Sequence, residues 1–293
     1  DLAVGARAVL DPPGGSRAAF VVRNASVNVV NLRVLPTVET VSYGVYSSSS
    51  YLRLSSVTVD GGAFISESAV RLSSWATVSY ASASARDAHT LHLTAPFYDV
   101  SYSSFVGAGD AVAVYVNGAS SGALTGLFIS SGVYVDNLAW GLTVAASTVT
   151  NEGSMMNAFK AASYSSMTIT DSYLQSASGV ALFVDLPEAL FVIGSTIAAN
   201  TPSLQAIHTS GGSITSFVNV TAFNTNGTAL WATGGNISVA RSSITGANTG
   251  NAFYMSTTST TVTDSYLASA QQTLYLTVAS GVSIRRSTVP VTG

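Results

Sequence analysis

Reactive side chains are scarce in this chain, which holds only 14 Asp and Glu and 3 His among 293 residues. Four of the acids recur at similar spacing: Asp87, Asp110, Asp136 and Glu152. Acids brought together on one edge could cleave glycosidic bonds as a pair, or hold a divalent cation through oxygen ligands. Arg86 and His89 stand close by in sequence. The plainer reading is that each acid is a solvated turn residue, because Asp is favoured in turns. His89 and His92 are near neighbours, but neither they nor His208 come with the further ligands a metal site needs. The chain has no cysteine, hence no thiol nucleophile, disulfide framework or zinc knuckle. Ser-His-Asp order and the Gly-x-Ser-x-Gly elbow are both missing from suitable context. Gly211-Gly212 and Gly234-Gly235 read as bends that open no helix, so they offer no phosphate cradle. The expectation is no catalytic residue, no metal and no cofactor, with the acidic edge as the runner-up.

A second set of residues suggests recognition. Short segments such as Ala181-Leu-Phe-Val184, Ala229-Leu-Trp-Ala232 and Ala252-Phe-Tyr-Met255 share one pattern. Their second position is always apolar (Val114, Phe159, Leu182, Ile207, Leu230, Phe253, Leu274), so it belongs in the core. Side chains alternate across a strand, so the third position faces solvent. It holds Tyr115, Lys160, Phe183, His208, Trp231, Tyr254 and Tyr275. With neighbouring strands about 4.8 Å apart, the run from Phe183 to Tyr275 makes a stripe roughly 20 Å long. It could bind sugar rings or a neighbouring copy, or it could only stabilise the sheet through stacked pairs. Arg241, Asp264 and Arg286 form a second, charged column, with Asp171 further back. An exposed ladder of this kind contributes only about 0–1 kcal/mol per pair.

What positions these columns is a phrase repeated from Met167 to Val289. It reads Met167-Thr-Ile169-Thr-Asp-Ser172-Tyr-Leu174, then Leu190-Phe-Val192-Ile-Gly-Ser195-Thr-Ile197. It returns as Ile237-Ser-Val239-Ala-Arg-Ser242-Ser-Ile244, Thr260-Thr-Val262-Thr-Asp-Ser265-Tyr-Leu267 and Val282-Ser-Ile284-Arg-Arg-Ser287-Thr-Val289. A looser copy centres on Thr221, and copies run back to Val27-Asn-Val29. The Ser-equivalent positions are 32, 57, about 81, 103, 127, 147, 172, 195, 221, 242, 265 and 287, a mean period of roughly 23 residues, inside the window of repeat architectures. Alternation with period two, together with Val, Ile, Thr and Tyr, reads as short strands. Gly, Asn and Ser clusters separate them. Short strands wound in a coil and stacked in parallel make an all-β parallel β-helix, or β-solenoid, of about twelve coils. The two spacers before the Ser should bend the chain and reset the inward parity, so that the Ser or Thr column stacks inside as a hydroxyl ladder. Residues 1–35 are expected to form an irregular first coil or cap, with Asp11-Pro-Pro-Gly-Gly15 as a turn. Residues 36–293 are expected to be the β-helix, a single domain overall.

Composition narrows the partners. Apolar residues make up 47% and charged residues 9%, against about 25% charged in ordinary globular chains. The net charge is −3 with scattered Lys and Arg, so no basic stripe is available to neutralise phosphates and nucleic acid is not expected. No apolar run approaches the ~18 residues of a membrane span. Four Asn-X-Ser/Thr sequons, at Asn24, Asn219, Asn226 and Asn236, would place sugars on a secreted surface protein. The chain begins at Asp1, without Met or a signal-like segment, and is expected to be processed or part of a longer one.

The repeat resembles the pectin-lyase-like right-handed parallel β-helix superfamily over nearly the whole chain. The Asn-Thr-Asp, paired-Asp and Gly-His-Gly signatures of its polygalacturonase-like hydrolases have no counterpart here. The Ser/Thr-rich, sequon-bearing coils also look loosely like large solenoid surface glycoproteins of protists, of the dispersed gene family type. The expectation that follows is a non-enzymatic structural or adhesive glycoprotein, extracellular or at the cell surface. It would build a layer or filament with copies of itself by end-to-end and lateral contacts. A carbohydrate-active lyase or hydrolase, or an adhesin that reads glycans on the aromatic stripe, are the alternatives.

Overall fold

Strands joined by sharp bends make each turn, and the sequence shows why. In Met167-Thr-Ile169 the apolar residues alternate and point inward, and then parity breaks. Met167, Ile169, Ser172 and Leu174 are all buried, while Asp171 is exposed. Two inward residues three apart cannot lie on one regular strand. The break occurs at Asp171, whose φ of 47° is left-handed. The computed structural model describes residues 8–10, 17–36, 40–48, 51–118, 121–136, 140–153, 157–162, 166–202, 204–247 and 250–290. The turn expected over 11–15 lies outside them. About two thirds of what is described is strand (68%) and almost none is helix (1%), wound as a parallel β-solenoid of about 11 turns. The twelve marker positions read from the sequence enclose about that many intervals.

The chain divides into two compact units, Asp1–Ala139 and Trp140–Gly293. In the first, one face stacks Leu32–Val34, Thr58–Asp60, Ser82–Arg86 and Ser104–Ala108 in parallel. A second face stacks Val41–Ser48, Ile65–Leu72, His89–Leu93, Val114–Asn117 and Val133–Asp136. A third runs through Tyr51–Ser55, Ala76–Ser79 and Phe97–Ser101. Residues 1–35, expected as an irregular first coil or cap, contain paired strands: Ala18–Arg23 pairs with Val41–Ser48, and Ser26–Val30 with Tyr51–Ser55. The second unit repeats the arrangement. There the second and third faces merge into long bent strands, Gln205–Val218, Thr228–Ala240, Phe253–Thr263 and Leu274–Arg285.

The core is built from the inward columns. Phe159, Leu182, Ile207, Leu230 and Phe253 are fully buried, one above the other. Each such side chain contributes about 1.5–3 kcal/mol. Leu274, in the last of these coils, is only half-buried.

Every turn carries a left-handed residue just before the marker. These are Asn31, Ser56, Tyr80, Tyr102, Gly126, Ala146, Asp171, Gly194, Asn219, Arg241, Asp264 and Arg286. Where the next residue is Ser, its hydroxyl does two things. Ser172 Oγ donates to the Thr170 carbonyl at 2.7 Å and accepts the Ser147 amide at 3.2 Å. Ser195, Ser242 and Ser265 repeat the pattern toward the coil before them. The marker placed at Thr221 is corrected by one residue. Thr221 pairs with Thr196 and is exposed, and Val220 takes the inward position beside Ser195 and Ser242. A Val there supplies no hydroxyl, so the ladder is interrupted between Ser195 and Ser242. The left-handed Asn219 still makes the bend.

Ser242→Ala should therefore leave the Val220 amide unpaired inside the coil. A buried donor left without a partner costs about 1–3 kcal/mol. Chemical denaturation should show a loss of that size, and an unchanged midpoint would contradict the ladder's role.

Candidate functional site

The second face carries the outward columns on which function is best sought. In the second unit, Phe183, His208, Trp231, Tyr254 and Tyr275 are register neighbours on successive strands. Parallel in-register pairing leaves their rings no choice but to stack. Centroid separations are 4.8 Å for Phe183–His208, 6.2 Å for His208–Trp231, 3.9 Å for Trp231–Tyr254 and 4.8 Å for Tyr254–Tyr275. Interplanar angles stay at or below 24°. Lys160 places its ammonium 5.9 Å from the Phe183 ring. The rings therefore cover one another's faces and turn their edges to solvent. A flat platform for sugar rings needs an open face, which the interior of this stack does not offer. It is better suited to a stiff ridge. Burial lowers the pKa of His208, with Asp185 opposing the shift.

In the first unit the same strand position holds Tyr46, Arg71, His92, Tyr115 and Tyr134. Only Tyr115 was identified from the sequence as part of this column. Tyr115 stacks on Tyr134 at 5.5 Å and on His89 at 4.9 Å, and meets the tilted His92 ring at 4.9 Å. Around these rings lies a cleft of about 330 Å3 lined by Glu67, Arg71, Asp87, His89 and His92 among others. Buried Tyr43 donates its hydroxyl proton to Glu67 and accepts from Arg71 Nη1 at 2.8 Å. Arg71 also faces Glu67 at 3.8 Å. His89 Nδ1 lies 2.9 Å from the Val112 carbonyl. A carbonyl can only accept, so in the neutral ring that nitrogen carries the proton and Nε2 is the acceptor.

The four acids stand at different positions of their turns. Asp87 sits at a left-handed bend beside Gly109, with Arg86 at 3.6 Å. Asp110 is exposed one residue past that glycine. Asp136 ends its strand, pairing with Asn117 two positions beyond the Tyr115–Tyr134 pair. Glu152 belongs to the second unit and follows Thr148–Asn151. Distances of five to nine residues from a marker are far too unequal for strands whose side chains alternate with period two. Of the four, Asp87 alone lines the cleft, where the acid beside it is Glu67. Among the described residues no three His, Asp or Glu side chains converge as a metal site requires.

The charged column stands where it was expected. Arg286 grips Asp264 with two bonds, 2.6 Å from Nε and 2.8 Å from Nη2. The Arg286 hydrogen bond, with further help from Arg241, lowers the Asp264 pKa. Of the sequon residues, Asn24, Asn219 and Asn236 are exposed. Asn226 is half-buried, and its side-chain amide donates to Asn200. No family model matches the chain, and no curated protein or solved structure matches it either.

Burial, then Arg71 and His89, pull the His92 pKa down to about 4, with Glu67 opposing. The unfolded chain thus binds a proton at His92 before the folded one does. Its contribution to stability is complete above pH ~6.5 and is lost as pH falls toward about 4. An NMR titration should show the His92 ring neutral at pH 5, while the melting temperature declines over that window. A normal His92 titration would contradict the buried geometry.

Proposed function

We propose that this chain is a non-enzymatic structural or adhesive β-solenoid of an extracellular surface, a unit that assembles with copies of itself into a layer or filament. The observation that carries this reading is the closed aromatic stack of the second unit. Rings that cover each other's faces form a rigid, half-exposed ridge, and their edges present polar tips over an apolar body. A second copy laid alongside would bury those edges without reordering any side chain, which lowers the entropic cost of association. A contact that joins unlike surfaces and does not close extends into a filament.

The surrounding surface supports the same reading. Charge is sparse, and Ser, Thr and Asn supply the polarity. Sequons at Asn24, Asn219 and Asn236 are exposed, as an attached sugar requires. The loose likeness of these coils to protist solenoid surface glycoproteins points in the same direction.

Two measurements test this. Protein secreted from a glycosylating host should carry sugars at Asn24, Asn219 and Asn236 and much less at Asn226, as read by mass spectrometry. Under the electron microscope it should form fibres or sheets. Tyr254→Lys, which removes a ring from the stack and puts a charge on the ridge, should shift the protein to monomers and keep its strand signal in circular dichroism. Monomers alone at high concentration of the unmodified sequence would contradict the assembly reading.

A further inference from the structure

The cleft of the first unit contains polar groups that the fold itself does not satisfy. Ser68 is 1% exposed, and its hydroxyl has no hydrogen-bond partner. Arg71 Nε and His92 Nε2 are likewise buried and unpaired. All three residues line the same cleft. Buried polar atoms almost always find partners, and each exception calls for a reason. Three exceptions in one wall point to a missing ligand.

The chemistry of the wall defines that ligand. Glu67 and Asp87 accept hydrogen bonds only; Arg71 donates only; Ser68 does both; His89 keeps Nε2 as an acceptor. Donors and acceptors thus interleave over a short distance. Two carboxylates against one guanidinium disfavour an anionic ligand, and Arg71 is already turned toward Glu67 and Tyr43. Adjacent hydroxyl groups, each both donor and acceptor, match such a wall. The volume of about 330 Å3 lies at the small end of ligand pockets, roughly 300–1,000 Å3. A single sugar ring is a ligand of that scale.

We infer that the cleft bounded by Glu67, Ser68, Arg71, Asp87, His89 and His92 binds a single uncharged pyranose through its vicinal hydroxyls. The carboxylates take two neighbouring O–H donors, and Arg71 Nε and the Ser68 hydroxyl complete the ring's acceptors. Such a site would let one unit hold a neutral terminal sugar, on a neighbouring glycan or free in solution. It is separate from the aromatic ridge and stands or falls independently of self-assembly.

The test uses the full chain and a panel of methyl glycosides of glucose, galactose, mannose and N-acetylglucosamine. Glucuronate, galacturonate and glucosamine serve as charged counterparts. Binding is read by NMR at the His92 ring and the Ser68 amide, at ligand concentrations up to tens of millimolar. At least one neutral glycoside should shift both signals saturably, and the charged sugars should bind more weakly. Competition by a glycan bearing that sugar at its end, stronger than by the free glycoside, assigns the source to a chain terminus; equal competition assigns it to the free sugar. Glu67→Gln should weaken binding about tenfold, the scale of one charge-assisted hydrogen bond. Ser68→Ala removes a hydroxyl that no protein group uses, so it should weaken binding and leave the melting temperature unchanged or higher. A purely structural Ser68 would not split the two readouts in that way. No response to any neutral glycoside, tighter binding of a charged sugar, or unchanged affinity in Ser68→Ala would overturn the assignment.

Discussion

A left-handed residue once per turn, followed by a buried side chain, is the constraint on which this fold depends. A left-handed backbone costs about 1–2 kcal/mol for a residue with a Cβ, and here it is adopted by Tyr, Ala, Asp and Arg as well as by Gly and Asn. The cost is offset at the next position. Where that position is Ser, one hydroxyl satisfies a carbonyl of its own coil and an amide of the adjacent coil. Where it is Leu32, Val57, Leu127 or Val220, apolar burial takes over. Either way the inward parity is reset, and a chain with alternating strands can keep one core through a turn.

Once parity is fixed, every residue has a column. Phe183 must lie beside His208, and His208 beside Trp231, because parallel strands pair residue for residue. The same rule brings Arg286 onto Asp264 and His92 onto Arg71. The outward columns differ in what they do with this proximity. Aromatic rings close on one another and leave a ridge, whereas the mixed column of the first unit leaves polar atoms unpaired and a cleft open beside them.

The repeat, the inward Ser ladder, the second core column and the aromatic and Arg–Asp columns were legible in the sequence because each depends on a strict period. Thr221 was assigned one residue off because Val220 lacks the hydroxyl that marks the other copies; the left-handed Asn219 was the better marker. The acids were harder to place. Asp87 directly follows Ser82–Arg86, Asp110 lies beyond Gly109, and Asp136 ends Val133–Asp136, so distance from a marker does not put them at one position of the turn. The cleft itself was not legible. Glu67 and Arg71 lie on Ile65–Leu72, whose pairing with Val41–Ser48 slips register between Val41 and Tyr43. That irregularity hides the column from a periodic reading, and it is also where the polar pocket opens. The one available signal was the close pair His89 and His92, which the structure sets against Tyr115.

Hydrogen exchange at the bend amides is the most direct measurement of this account. The amides of Ala81, Ser147, Ser172, Val220, Ser242 and Ser265 lie outside the regular strands yet donate to Ser hydroxyls of the coil that follows. If the hydroxyl ladder holds the coils together, these amides should exchange as slowly as those in mid-strand. Exchange at the rate of an unprotected amide would show that the ladder is not formed, and the parity reset would then need another cause.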